Sequence, residues 1–201
     1  LMNRLLLKGT KKYNSEELSS ILDENAIEFY TEMKSDYLRF RFICLNEDFE
    51  LALSIMSDII KNSTFEEFEK EREKMKGELV AELDSARVKI SDLFTKTIYK
   101  DHYYGHSYTK ILEEIDNVKK EDVISAYNEI LTKSTKTLAL VGEADDSILE
   151  KYLGDIAPSI ENTSSIEPPA TLKQECVELI QNDANQAQIL QGWIVPTIGS
   201  E

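Results

Sequence analysis

The chain has 201 residues, enough for one ordinary domain or for a domain and a fragment. It is 41% hydrophobic, so a core is within reach, and 38 Asp and Glu against 23 Lys and Arg give a formal charge of -15. Such a chain repels phosphate backbones, which argues against nucleic acid as a partner. Cys44 and Cys176 are too far apart in sequence to suggest a disulfide framework or a cysteine-based zinc site. No apolar run approaches the roughly 20 residues that span a bilayer, which argues against membrane insertion. Leu1-Met2-Asn3-Arg4 does not open like a signal peptide, and reads as a point inside a helix. The compartment is left open, with a lean to the cytoplasm.

In chain order, Leu1 to Leu7 predicts a short apolar helix ended by Gly9. Asn14, with Glu17 three residues on, predicts a capping box and a second helix to Asp23. Ala26 to Glu32 and Tyr37 to Leu45 read as strands joined by the loop Met33 to Asp36. In the second strand Leu38, Phe40, Phe42 and Cys44 alternate with Arg39 and Arg41, the period of a half-buried strand. Asp48 to Lys61 predicts a helix. Thr64 predicts the cap of one long helix whose apolar stripe runs from Phe65 through Leu79 and Leu83 to Thr97, with Gly77 marking a bend or close contact. A loop from Asp101 to Thr109, a helix from Lys120 to Thr132, a strand from Thr137 to Val141 and a helix from Asp145 to Ile156 follow. Residues 157–174 carry Pro168-Pro169 and no periodicity, and read as a linker. Glu175 to Gln181 and Ala187 to Val195 read as strands.

Several short motifs recur in a fixed order. Lys8-Gly9-Thr10 precedes the capped helix. Tyr30-Thr31 lies on the first strand. Phe68-Glu69-Lys70-Glu71-Arg72 is followed by Glu78. Asp101-His102-Tyr103-Tyr104-Gly105, Glu121-Asp122-Val123 with Tyr127, Leu138 to Gly142 with Asp145, and Asn185 to Ile189 complete the series. Together they resemble the insulinase/pitrilysin family of zinc peptidases, the inverzincins, over nearly the whole chain. Glu24, Tyr103 and Lys110 or a neighbour depart from its pattern. The resemblance implies an α+β fold, with a mixed, largely antiparallel sheet and helices packed on one face. Residues 1–156 would form one repeat lacking its leading strands, 157–174 a linker, and 175–201 the opening strands of a following repeat.

Aligned on Lys8-Gly9-Thr10, the family's H-x-x-E-H motif places its general base on Asn3 and its second histidine on Arg4. The further metal ligand falls on Glu78, with Glu82 one turn on as the alternative. A neutral amide has no accessible proton-accepting state near neutral pH. A guanidinium has no lone pair to give and stays charged. The resemblance therefore implies zinc in active members, but no catalytic residue and no cofactor in this chain, with Arg4 expected to pair with Glu78 or Glu82. Asn3-Arg4 is also an ordinary helix-surface pair. Tyr30 and Thr31 take the place of the substrate-facing edge strand. His102 and His106 are spaced like ligands on a helix, but Tyr104-Gly105 between them favours a loop. The charged run from Glu66 to Lys76 is most simply a solvated helix face.

The leading functional reading is a non-catalytic subunit or half of an insulinase-type peptidase, shaping the chamber and binding peptide. Its partner would be a catalytic sister subunit or a second repeat of the same chain, and a homodimer is a further arrangement it allows. The alternatives are a structural subunit, as in the core proteins of the cytochrome bc1 complex, and an active zinc metalloendopeptidase domain.

Overall fold

The computed structural model describes residues 1–100, 102–156, 177, 186–193 and 195. It divides into two units, residues 1–73 with 118–164 and residues 74–117 with 165–201. The fold is α+β.

In the first unit, helix α1 (Met2–Leu5) leads to a tight corner at Gly9. Gly9 has φ +126°, and a Cβ there would stand 3.2 Å from the Tyr13 carbonyl, so glycine is required. The Gly9 carbonyl accepts from the Thr64 N–H at 3.1 Å, which ties the corner to a segment far along the chain. Helix α2 (Ser15–Glu24) starts as its sequence predicts. The Asn14 side chain accepts from the N–H groups of Glu16 and Glu17, and the Glu17 carboxylate accepts from the Asn14 N–H, all at 2.9 Å.

Strands β1 (Glu28–Met33) and β2 (Leu38–Ile43) form an antiparallel hairpin in the register Thr31 opposite Phe40. Phe29, Phe40 and Phe42 face inward, while Arg39 and Arg41 face solvent, which is the alternation the sequence carries. The inner face packs on α3 (Phe49–Asn62), whose Ala52, Leu53, Ile55, Met56, Ile59 and Ile60 are buried. Leu5, Leu6, Leu18, Phe65 and Phe68 complete the core together with Val123 and Tyr127 of α7 (Lys120–Lys133). Helix α8 (Asp146–Leu153) lays Ile148, Leu149, Tyr152 and Leu153 over Leu53, Met56 and Ile60.

The long helix expected from Thr64 to Thr97 is two helices, α4 (Phe68–Glu82) and α5 (Ala86–Ile98). Gly77 is not the bend: it lies inside α4 with open space where a side chain would be. The break falls at residues 83–85, where Ser85 takes an extended conformation before α5. Thr64 does not cap α4. Its hydroxyl donates to the Gly9 carbonyl, and Phe65 and Glu67 adopt positive φ before the helix begins.

In the second unit, the segment expected as a loop turns through Tyr103–Gly105 and then starts α6 (Tyr108–Glu114). A Cβ on Gly105 would lie 2.4 Å from the Tyr99 carbonyl oxygen, so only glycine fits that turn. Asp92 of α5 is 8% exposed, and its carboxylate accepts from the N–H groups of Tyr108 and Thr109 and from the Thr109 hydroxyl. These are first-turn donors that a helix leaves unmet.

Thr137 to Val141, expected as a strand, has no ladder partner among the described residues, and Leu138, Leu140 and Val141 are exposed. The described part of Ala187 to Val195 likewise carries no strand pairing among those residues. Residues 157–174, and Glu175 to Gln181 apart from Val177, lie outside the described residues.

Candidate functional site

Burial of Leu5 and Leu6, both 0% exposed, fixes the roll of α1 and leaves Asn3 and Arg4 on its half-buried side. Asn3 is tied to β1 from two directions. Its Nδ2 donates to the Thr31 carbonyl at 3.2 Å, and the Thr31 hydroxyl donates to the Asn3 carbonyl at 3.3 Å. The Asn3 Oδ1 is buried and has no hydrogen-bond partner. At the position that the resemblance gives to the base, Asn3 is a donor aimed at a backbone oxygen, where a carboxylate would place oxygen against oxygen.

Arg4 and Lys8 converge on one carboxylate of α4. The Lys8 Nζ lies 2.9 Å from Glu71 Oε1, and the Arg4 Nη1 lies 4.0 Å from Glu71 Oε2. The Glu71 side chain is only 4% exposed. A carboxylate so deeply removed from water is stable there only if paired, and here two cations neutralise it. Arg72 extends the charged run along α4, with its Nη2 on Glu69.

Glu78 and Glu82 stand exposed one turn apart on α4, and Glu71 precedes Glu78 by about two turns. Tyr30 is 51% exposed on the outer face of β1, where its hydroxyl donates to Glu28 Oε2 at 2.8 Å. That bond holds the Tyr30 phenol above its usual pKa. His102 and His106 are in the turn that sequence favours over a helix. The His102 Nδ1 accepts from the Tyr104 N–H at 3.2 Å, and its ring packs on Tyr103 and Tyr104.

The residues present do not fit a zinc ion at α1. Arg4, at the position that the resemblance gives to a ligand, is a permanent cation, and with Lys8 it already neutralises the buried Glu71 carboxylate. Among the described residues no three His, Cys, Asp or Glu side chains are grouped as metal ligands. In the sequence, Lys8 and Glu71 stand only within motifs that carry the resemblance. Their pairing was not visible because it joins residues 63 positions apart, and no local pattern reports it.

Comparison with known proteins matches this architecture. The family model for insulinase, peptidase family M16, matches residues 1–116, and the model for the peptidase M16 inactive domain matches residues 117–201. The mitochondrial-processing peptidase subunit alpha-1 of Dictyostelium discoideum is 22% identical over 82% of this chain and 26% of its own length. An uncharacterized zinc protease of Streptomyces coelicolor is 22% identical over 95% of this chain and 44% of its own length. The chain thus spans less than half the length of these two relatives. Among solved structures, a peptidase M16 inactive domain from Pseudomonas fluorescens superposes with a TM-score of 0.69 at 17% identity, covering 84% of this chain and 43% of that one. A protease from Helicobacter pylori gives 0.65 at 16%, covering 84% and 42%. With a family model covering more than half its residues and the fold agreeing, the chain belongs to the insulinase peptidase family, M16.

Proposed function

We propose that this chain is a non-catalytic half of an insulinase-type peptidase, and that it binds extended peptide along β1 without cleaving it. The observation that carries the reading is the pair of substitutions on α1. Asn3 donates to a backbone carbonyl where a base would accept a proton, and Arg4 sits with Lys8 over Glu71 where a metal ligand would be. No proton acceptor and no metal-activated water can be built from these two side chains. The partner is then a catalytic sister subunit or a second repeat of the same protein. The resemblance to a processing-peptidase alpha subunit and to an inactive-domain model supports that arrangement. Thr31 supplies a main-chain contact on the open edge of β1, because an exposed strand edge pairs with any extended backbone, and the exposed Tyr30 ring supplies a side-chain contact.

The test uses reduced, carboxymethylated α-lactalbumin, a permanently unfolded chain, labelled with a fluorophore. The purified protein is expected to bind it and to leave it intact with zinc added. Turnover that a chelator abolishes would overturn the reading, and so would absence of binding.

A further inference from the structure

The hairpin register decides which main-chain groups of β1 face its open edge. The Lys34 N–H donates to the Tyr37 carbonyl at 2.9 Å, so residues 34 and 37 are a hydrogen-bonded pair. Hydrogen-bonded and non-bonded pairs alternate along an antiparallel ladder. Glu32 with Arg39, Tyr30 with Arg41 and Glu28 with Ile43 are therefore bonded pairs. Phe29, Thr31 and Met33 turn their N–H and C=O groups to the opposite edge. Among the described residues no main-chain group bonds them there. A side chain does: Asn3 Nδ2 sits on the Thr31 carbonyl, the central acceptor of that edge.

That amide is satisfied on one side only. Its Oδ1 is buried without a partner, and a buried acceptor left unmet costs about as much as the opposite bond gains. The contact is therefore cheap to open, since swinging Asn3 outward hydrates Oδ1 and releases the Thr31 carbonyl together.

We propose that Asn3 is a displaceable latch on the edge of β1: closed, it denies an incoming strand its central acceptor, and a bound extended peptide replaces the Asn3 amide with its own backbone N–H. The latch rests on the reading that β1 takes extended peptide. It makes Asn3 a residue that sets affinity and registers occupancy, in place of the base that the family alignment would put there.

The experiment measures binding of the labelled carboxymethylated α-lactalbumin to the full chain and to Asn3→Ala and Asn3→Asp. Neither replacement can donate to the Thr31 carbonyl, so both are expected to bind more tightly, by less than the roughly 5-fold that one fully satisfied hydrogen bond would be worth. Asn14→Ala, which loosens the chain away from β1, is expected to bind as the unaltered chain does. In the unaltered chain, the side-chain amide protons of Asn3 should exchange slowly when free and quickly at saturation, a readout that needs no variant to fold. Equal or weaker binding by the Asn3 variants, or an Asn3 amide unmoved at saturation, overturns the latch while leaving the peptide edge standing. Absence of binding by every form, including the unaltered chain, removes the peptide edge and the latch with it.

Discussion

In the unit of residues 1–73 and 118–164, Leu5, Leu6, Ala52 and Ile59 have no exposed surface, and two apolar clusters share the faces of α3. Among the described residues of 74–117 the buried apolar side chains are Leu79 and Ile115, and the polar Asp92 and Ser107 are buried as well. The first region is held by burial, which is non-directional and tolerates small shifts. The second leans on directed bonds: the Asp92 carboxylate on the start of α6, Lys76 on Asp116 at 2.7 Å, and Lys96 on the Thr109 hydroxyl at 2.8 Å. The lesson is that one family fold holds itself together by two chemistries, and different substitutions should find each.

The strongest way to break this contrast is Leu5→Ala. A fully buried leucine cut to alanine is expected to cost about 2–5 kcal/mol, read by urea unfolding. A loss below about 1 kcal/mol would mean that the α1 packing is dispensable.

Next comes Asp92→Ala, which strands the Tyr108 and Thr109 N–H groups and should cost about 1–3 kcal/mol. Asp92→Asn keeps one acceptor oxygen and should recover part of it. Amide exchange at Tyr108 and Thr109 checks that the loss is local. If alanine at Asp92 costs as much as alanine at Leu5, the contrast fails.

Tyr127 sharpens it from inside the apolar region. Its hydroxyl donates to the Ile60 carbonyl at 2.9 Å, and burial pushes the phenol well above its usual pKa. The folded chain therefore keeps the proton after the unfolded chain releases it. This contribution is complete below about pH 10 and is lost as pH rises from there toward the folded pKa. Tyr127→Phe should cost about 1 kcal/mol at neutral pH and show a shallower alkaline loss. A parallel alkaline curve for both forms would show that Tyr127 is not the titrating group.

Asn14→Ala has the smallest expected effect, about 0.5–1 kcal/mol, because the capping box is solvent-exposed. Thermal unfolding checks it.

Sequence legibility followed the range of each interaction. The Asn14 box and the alternation around Phe40 and Phe42 are local, and both are in the structure where the sequence puts them. The break at residues 83–85 was hidden because Leu79, Leu83 and Ala86 continue an apolar stripe that one straight helix would also produce. The start of α6 was hidden by Tyr104-Gly105, although Ser107, which accepts from the Lys110 N–H at 3.3 Å, carried a cap signal. Leu138, Leu140 and Val141 have strand composition, but composition encodes a preference for burial and names no partner. At the site, resemblance drew attention to Asn3 and Arg4. It could not reveal that the Asn3 amide meets the Thr31 carbonyl or that Lys8 shares Glu71 with Arg4, because both contacts join distant stretches of chain.

Helix α1 is anchored by contacts from far along the chain. Ser63 donates to the Leu6 carbonyl at 2.7 Å, Thr31 to the Asn3 carbonyl at 3.3 Å, and Lys8 lies 2.9 Å from Glu71. Each of those contacts closes a long loop, so late docking of α1 is the expected order of folding. The element on which the resemblance puts the family's motif is therefore expected to consolidate after the folding transition state. Substitutions at Asn3 and Arg4 are then expected to speed unfolding more than they slow folding, which the two arms of a urea chevron would read.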